Sequence, residues 1–303
     1  MNSKGKEGTI IKGYSGFYYV LAEETLFTCS LRGKFRQKEK GQTFLPGDRV
    51  IISSFDDQKG AIEEVLPRKN ELLRPTIANV DQALLVFSLT SPNPDFTLID
   101  RLLLFTYLEQ IEPVLIWTKG DLATEEGITK AQERFIPTKV KQIVVSTKTM
   151  EGIDGVKAIL KEKITVLAGP SGVGKSTLLN AIEPGLALKT GEVSKKTGRG
   201  KHTTRHVELL RLSFGALVAD TPGFSTLQVP DIKGTDLAQL FPDMAEYAGR
   251  CRFTSCLHRT EPDCAVREAL EQALIHPRRY ENYLLILEEV MEKDRRKGKG
   301  RKE

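Results

Sequence analysis

The sequence predicts a multi-domain protein. An OB-type β-barrel comes first, a doubly wound, mostly parallel α/β sheet follows, and a mostly helical C-terminal part is built around a metal. Three observations carry this. Residues 1 to 70 hold short β-type runs separated by turns. From residue 83 apolar runs alternate with helical periodicity, the pattern of parallel strands joined by crossover helices. Past residue 250, three cysteines and a histidine fall within fourteen residues. The expected boundaries are 1–70, 71–232 and 233–303.

A chain of 303 residues has room for several cores. Its net charge is +5, with lysines and arginines gathered at both ends and around residues 195–205. That suits a polyanionic partner, though it equally suits ordinary solubility. No run of about 18 apolar residues exists, so no membrane helix is expected. The N-terminal MNSKGKEGTI lacks the apolar centre of a signal peptide, so the expected location is the cytoplasm. No long exposed apolar stripe suggests an oligomer, and a monomer is expected.

In the first segment, runs 8–12, 17–21, 26–31 and 48–53 read as strands, with 61–66 closing the barrel and Pro46-Gly47-Asp48 as a turn. Between them lies a basic loop with an embedded aromatic. Its residues Arg32, Lys34, Phe35, Arg36, Lys38 and Lys40 are candidates for RNA contact, the alternative being a solvated loop. Residues 67–70 read as the linker.

In the central segment, runs 83–88, 113–117, 143–145, 164–168 and 217–219 read as strands, and 98–110 and 155–161 as helices. Ligands of such a sheet sit at the carboxyl ends of its strands, and the polar motifs fall there. After 164–168 comes Gly169-Pro170-Ser171-Gly172-Val173-Gly174-Lys175-Ser176, followed by Thr177 at a helix start. Strand, glycine-rich loop and helix form a phosphate cradle: glycines expose backbone N–H groups, and the helix N-terminus adds positive potential. Lys175 would reach the β- and γ-phosphates and Ser176 would hold Mg²⁺.

Thr118-Lys119-Gly120-Asp121 ends the strand at 113–117 and matches the N/T-K-x-D guanine motif. Its aspartate accepts from the guanine N1–H and exocyclic amine, a donor pair that adenine lacks. Ser146-Thr147-Lys148, at the next strand end, would be the second guanine-contacting loop. Asp220-Thr221-Pro222-Gly223 is a D-x-x-G motif: Asp220 would reach Mg²⁺ through water, and the Gly223 N–H would sense the γ-phosphate. Between phosphate loop and D-x-x-G, the polar residues 197–204 suit a segment ordered by nucleotide. One of its threonines would complete the Mg²⁺ shell; Thr204 is slightly preferred to Thr203, and spacing does not decide.

Ordinary GTPases run phosphate loop, threonine, D-x-x-G, then N/T-K-x-D. Here the guanine motifs at 118 and 146 precede the phosphate loop at 169. The same sheet forms if the chain begins at another strand, so the domain reads as a circularly permuted GTPase.

Cys251-x₄-Cys256-x-His258-x₅-Cys264 offers three thiolates and an imidazole, a complete tetrahedral zinc shell with no vacancy for water. One structural zinc is expected, against the alternative of buried cysteines and a surface histidine. Helices are expected over 237–240, 265–274 and 278–292. The tail holding Arg295, Arg296 and Lys297 is expected to be disordered alone and to lie on RNA when bound.

This combination and order resemble the bacterial ribosome-small-subunit-dependent GTPases, the RsgA (YjeQ/YloQ) family. The resemblance spans essentially the whole chain. It implies an OB-fold, a permuted GTPase domain and a zinc domain. It also implies a cytoplasmic factor that acts on 16S rRNA late in 30S maturation, hydrolyses GTP faster on that subunit, and is released by hydrolysis. Members carry a histidine before the paired threonines, matched by His202. Many GTPases orient the attacking water with a glutamine just after D-x-x-G. Phe224 stands there and cannot, so slow basal turnover is expected, with His202, Lys175 and Thr204 as catalytic candidates. Two positions depart from common patterns. Thr118 replaces the commoner asparagine, which lowers affinity while specificity rests on Asp121. Gly172 replaces the asparagine of potassium-dependent relatives, so no potassium activation is expected. Two rival readings are a P-loop ATPase, which Asp121 opposes, and an RNA-binding assembly factor that nucleotide merely stabilises.

Overall fold

The computed structural model describes residues 5–32, 43–56, 58–73, 75–188, 207–220 and 231–300, with backbone alone for Asp220 and 297–300. The chain forms two compact units: residues 1–84, 109–112 and 153–225, and residues 85–108, 113–152 and 226–303.

The first unit begins with a closed barrel of β1 (Lys6–Tyr14), β2 (Phe17–Ala22), β3 (Thr25–Leu31), β4 (Arg49–Ser54) and β5 (Lys59–Val65), in the order β1-β2-β3-β5-β4. All neighbours are antiparallel except β3 and β5, which run parallel. Alternating side chains fill the interior with Ile10, Val20, Phe27, Val50, Ile52 and Ile62. Cys29 also lies inside, and burial pushes its thiol up to about 11, which leaves it unreactive. The expected linker is tied down: buried Asp48 accepts from Arg68 Nε at 2.6 Å and from the Leu45 N–H at 2.7 Å. A two-stranded ribbon, β6 (Glu71–Leu73) and β7 (Thr76–Ala78), then leads into the sheet.

The central sheet has six strands: β8 (Gln82–Ser88), β9 (Glu112–Thr118), β10 (Lys141–Val144), β11 (Ile164–Ala168), β12 (Leu210–Arg211) and β13 (Leu217–Asp220). Their order is β10-β9-β8-β11-β13-β12. β10 is parallel to β9 and β11 to β13, whereas the short edge strand β12 is antiparallel to β13. β8 and β11 are buried along their whole length, as strands covered on both faces must be. The helices here are α1 (Phe96–Leu108), α2 (Glu125–Glu133), α3 (Ile153–Leu160) and α4 (Lys175–Ile182).

The second unit ends in a 3₁₀ segment, Gly234–Leu240, and helices α5 (Pro242–Ala248), α6 (Ala265–Glu271) and α7 (Pro277–Gly300). Leu237, Phe241, Met244, Val266, Tyr283 and Leu287 form its core. Through this core runs a buried ionic network joining three helices. Arg279 of α7 grips Asp243 of α5 with two hydrogen bonds, Nε to Oδ2 at 2.7 Å and Nη2 to Oδ1 at 2.6 Å. It also donates to Asp100 of α1, whose other oxygen accepts from Asn282 at 2.6 Å. The tail expectation needs correction. Helix α7 continues through Arg295 and Arg296 to Gly300, because residues 288–297 are nearly all strong helix formers with no proline among them.

Candidate nucleotide and metal sites

In the first unit, β11 runs into the glycine-rich loop and α4 opens at Lys175. Gly174 precedes it at φ 100°, where a side chain would be strained, and its missing Cβ would meet nothing within 4 Å. No side chain caps α4, whose N-terminus carries the positive end of the helix dipole. Lys175 Nζ reaches back over the loop to the carbonyls of Gly169 and Pro170, both at 2.8 Å. Val173 is buried, and Ser171 and Thr177 are exposed. Ser176 is half-buried in the first turn, where a hydroxyl suits hard-cation chemistry. β13 brings the backbone of Asp220 beside Leu167, two residues before the loop.

In the second unit, Lys119 takes a left-handed conformation (φ 61°), starting the turn that holds Asp121, and its ammonium binds the Ser91 carbonyl. The Gly120 N–H bonds the Val145 carbonyl at 3.1 Å, fastening this turn to the next loop. Ser146 is buried and Asp121 exposed. The Ser146 hydroxyl donates to Asp121 Oδ1 at 2.8 Å and accepts from the Lys148 and Thr149 N–H groups at 3.3 and 3.1 Å. One carboxylate oxygen of the exposed Asp121 is thus held by Ser146. Thr118 behaves differently: its side chain is 3% exposed and its hydroxyl reaches the Phe87 carbonyl at 3.2 Å. Thr147 is half-buried and Lys148 exposed.

The Cys251, Cys256, His258 and Cys264 ligand atoms all lie within 4.8 Å of one another. Both Cys251 Sγ and Cys264 Sγ stand 3.4 Å from His258 Nδ1, and the two sulfurs are 3.9 Å apart. A tetrahedral Zn²⁺ with bonds of about 2.3 Å to S and about 2.0 Å to N would set these edges near ~3.6 and ~3.8 Å. The donor set fits the ion. Tyr280 and Tyr283 brace the backbone here, their hydroxyls donating to the His258 and Leu257 carbonyls at 2.6 and 3.0 Å.

Of the basic residues expected to meet RNA, Arg32 pairs with Glu63 at 2.9 Å and Arg296 with Glu292 at 3.4 Å, while Arg295 is exposed on α7. Lys34, Phe35, Arg36, Lys38 and Lys40 lie outside the described residues, as do His202, Thr203, Thr204, Gly223 and Phe224, and the side chains of Asp220 and Lys297. The sequence reading missed the bracing role of Ser146 and the Arg279 network. The S-T-K spacing pointed to the first, and nothing local pointed to the second.

Residues 65–230 match the family model of the RsgA GTPase, and residues 7–62 that of the RsgA N-terminal domain. The chain belongs to the RsgA GTPase family. Its barrel, phosphate-loop domain and cysteine-bearing helical region are the parts expected of an RsgA chain. The small ribosomal subunit biogenesis GTPase RsgA of Moorella thermoacetica is 50% identical over 95% of this chain and 99% of its own. That of Carboxydothermus hydrogenoformans is 49% identical over 95% and 99%. Among solved structures, YjeQ from Thermotoga maritima superposes with a TM-score of 0.82 at 36% identity, covering 95% of this chain and 99% of that one. YloQ, described as a circularly permuted GTPase, gives 0.80 at 39% identity, covering 96% of each. Among the described residues no helix is long and apolar enough to cross a membrane.

Proposed function

We propose that this chain hydrolyses GTP in the biogenesis of the small ribosomal subunit: it binds the 30S particle and its 16S rRNA late in maturation, turns over faster there, and leaves on hydrolysis. The observation that carries guanine recognition is the Ser146–Asp121 hydrogen bond, which presents a carboxylate in a fixed direction before any base arrives. In this reading residues 1–70 form an RNA-binding OB domain, 71–232 the permuted GTPase and 233–303 the zinc domain with its basic end. The chain acts as a cytoplasmic monomer. The loop from Gly169 to Thr177 cradles phosphates, Lys175 neutralises them, Thr118, Lys119, Asp121 and residues 146–148 enclose the base, and Gly223 senses the γ-phosphate.

Ser176, a switch threonine (Thr204 or Thr203) and Asp220 would hold Mg²⁺, which when bound neutralises charge developing on the phosphates. One zinc at Cys251, Cys256, His258 and Cys264 would supply structure only. Phe224 cannot orient water, and the family resemblance makes His202 the candidate for that task.

Phosphate release from GTP and from ATP, with and without 30S, 50S or 70S particles, tests the reading. Stimulation of GTP turnover by 30S alone is expected. GTP turnover unmoved by 30S would remove the ribosomal role, and ATP turnover equal to GTP would overturn the reading of Asp121. His202→Ala should abolish the 30S-stimulated rate while leaving GTP affinity intact; full stimulated turnover in that variant would exclude His202.

A further inference from the structure

Strand β1 is irregular at one point. Thr9 and Ile10 pair with Leu21 and Val20 of β2, and pairing resumes at Lys12 with Tyr19, so Ile11 is bulged out of the ladder. Ile10 is fully engaged, donating to the Asp48 carbonyl at 2.9 Å and accepting from the Gly47 N–H at 2.7 Å. The Ile11 carbonyl is spent elsewhere: it accepts from the Leu209 N–H at 3.0 Å. Bulges release a backbone group from a sheet and re-aim it, and here the released group leaves the barrel for the GTPase part of the same unit.

Leu209 is 1% exposed, and ion pairs flank it on both sides. Lys12 Nζ meets Glu208 Oε1 at 2.7 Å. Arg211 donates to the Glu24 carbonyl at 2.9 Å and pairs with the Glu24 carboxylate. Exposed ion pairs add little to stability and mainly fix register. Directly after Leu209 the chain enters β12, where Leu210 and Arg211 pair with Val218 and Leu217 of β13. β13 in turn pairs with β11 up to Asp220 opposite Leu167. An unbroken line of backbone hydrogen bonds therefore runs from the barrel bulge through β12 and β13 to the strand that feeds the phosphate loop.

We propose that the Ile11–Leu209 joint is a positioning element for GTP hydrolysis: through it the barrel sets β12 and β13, and RNA bound to the barrel acts on turnover by shifting this joint. The inference rests on the proposed stimulation by 30S. Lys12 and Glu208 are the place to perturb it, because reversing one charge leaves two like charges facing each other beside the joint.

The test uses the full chain with Lys12→Glu, Glu208→Lys and the double exchange, reading kcat and KM for GTP with saturating 30S particles. Either single reversal should lower the stimulated kcat three- to fivefold with KM unchanged, and the double exchange should restore at least half of the loss. Wild-type kcat in the single variants, or no restoration in the double, would overturn the joint. Unstimulated wild-type protein would instead refute the ribosomal reading. In that case hydrogen exchange at the Leu209 amide decides. Protection differing tenfold between GDP and a non-hydrolysable GTP analogue supports the joint, and equal protection overturns it.

Discussion

Arg279→Met strikes the buried ionic network of the second unit. Arg279 is 1% exposed, its guanidinium lies 5.5 Å from the Phe135 and Phe241 ring centres, and the side chains of both its carboxylate partners are fully buried. Methionine fills much of the space and removes all three charge-assisted bonds, leaving Asp100 and Asp243 without their shared cation. Breaking a buried ion pair from one side costs about 3–5 kcal/mol, because the remaining charge stays desolvated. Against a typical total of about 5–15 kcal/mol, that is a large share. With a urea dependence of about 2 kcal/mol per molar, a loss of about 4 kcal/mol moves the unfolding midpoint down by about 2 M. The one tryptophan makes the measurement direct. Trp117 is fully buried in this unit, 6.1 Å from the Phe135 ring, so its fluorescence follows the unit that holds Arg279. A triple variant with Asp100→Leu, Asp243→Leu and Arg279→Met should recover to within about 1 kcal/mol of wild type, since apolar replacement of a whole buried network is often neutral. A midpoint shift below ~0.5 M in Arg279→Met would refute the reasoning. A triple variant as unstable as the single one would assign the loss to packing rather than to unpaired charge.

Three further outcomes can be checked. Burial pushes the Asp100 carboxyl up to about 6, against the pull of Arg279 and Asn282. Because the folded value lies above the unfolded one (about 3.9), its stabilising contribution is complete below pH 4 and lost as pH rises to about 6. The stability difference between wild type and Asp100→Asn should therefore fall by up to about 3 kcal/mol across that window, and a flat difference in urea titrations would contradict it. Ser146→Ala frees the Asp121 carboxylate, so GDP should bind about five- to tenfold more weakly by calorimetry, the worth of about one hydrogen bond; an unchanged Kd would show that Ser146 does not brace the base-reading group. Cys256→Ala should lose the metal, about one zinc per chain in the parent protein, and lower the unfolding temperature read by Trp117; retained zinc would exclude the four-ligand site.

The motifs legible in the sequence are those whose residues are neighbours in the chain. The phosphate loop, the guanine turn and the cysteine–histidine cluster each fit within fourteen residues, where spacing alone constrains geometry. Five short strands and their turns likewise announced the barrel. What stayed hidden depends on residues far apart. Asp100 and Arg279 are separated by 179 positions, and a lone arginine in a helix carries no sign of being buried. The Ile11 bulge depends on a partner beyond residue 200, and β12, two residues long, has no period to read. The end of α7 departs from the expected disorder for the opposite reason. Charge density suggested disorder, while the helix propensity of the same lysines, arginines and glutamates prevailed.

The two units interleave along the chain, and this bears on synthesis. Residues 85–108 of the second unit are made early and its last helix near the end. At about 5–20 residues per second, Asp100 leaves the peptidyl-transferase centre about 10 to 35 s before Arg279 exists. Throughout that interval Asp100 and, later, Asp243 lack the guanidinium that hydrogen-bonds both, so α1 and α5 cannot close on each other at low cost. The second unit is therefore completed only once Arg279 has been made. Nascent chains arrested before residue 279 should be cut by protease within residues 85–152, and the full chain should resist there.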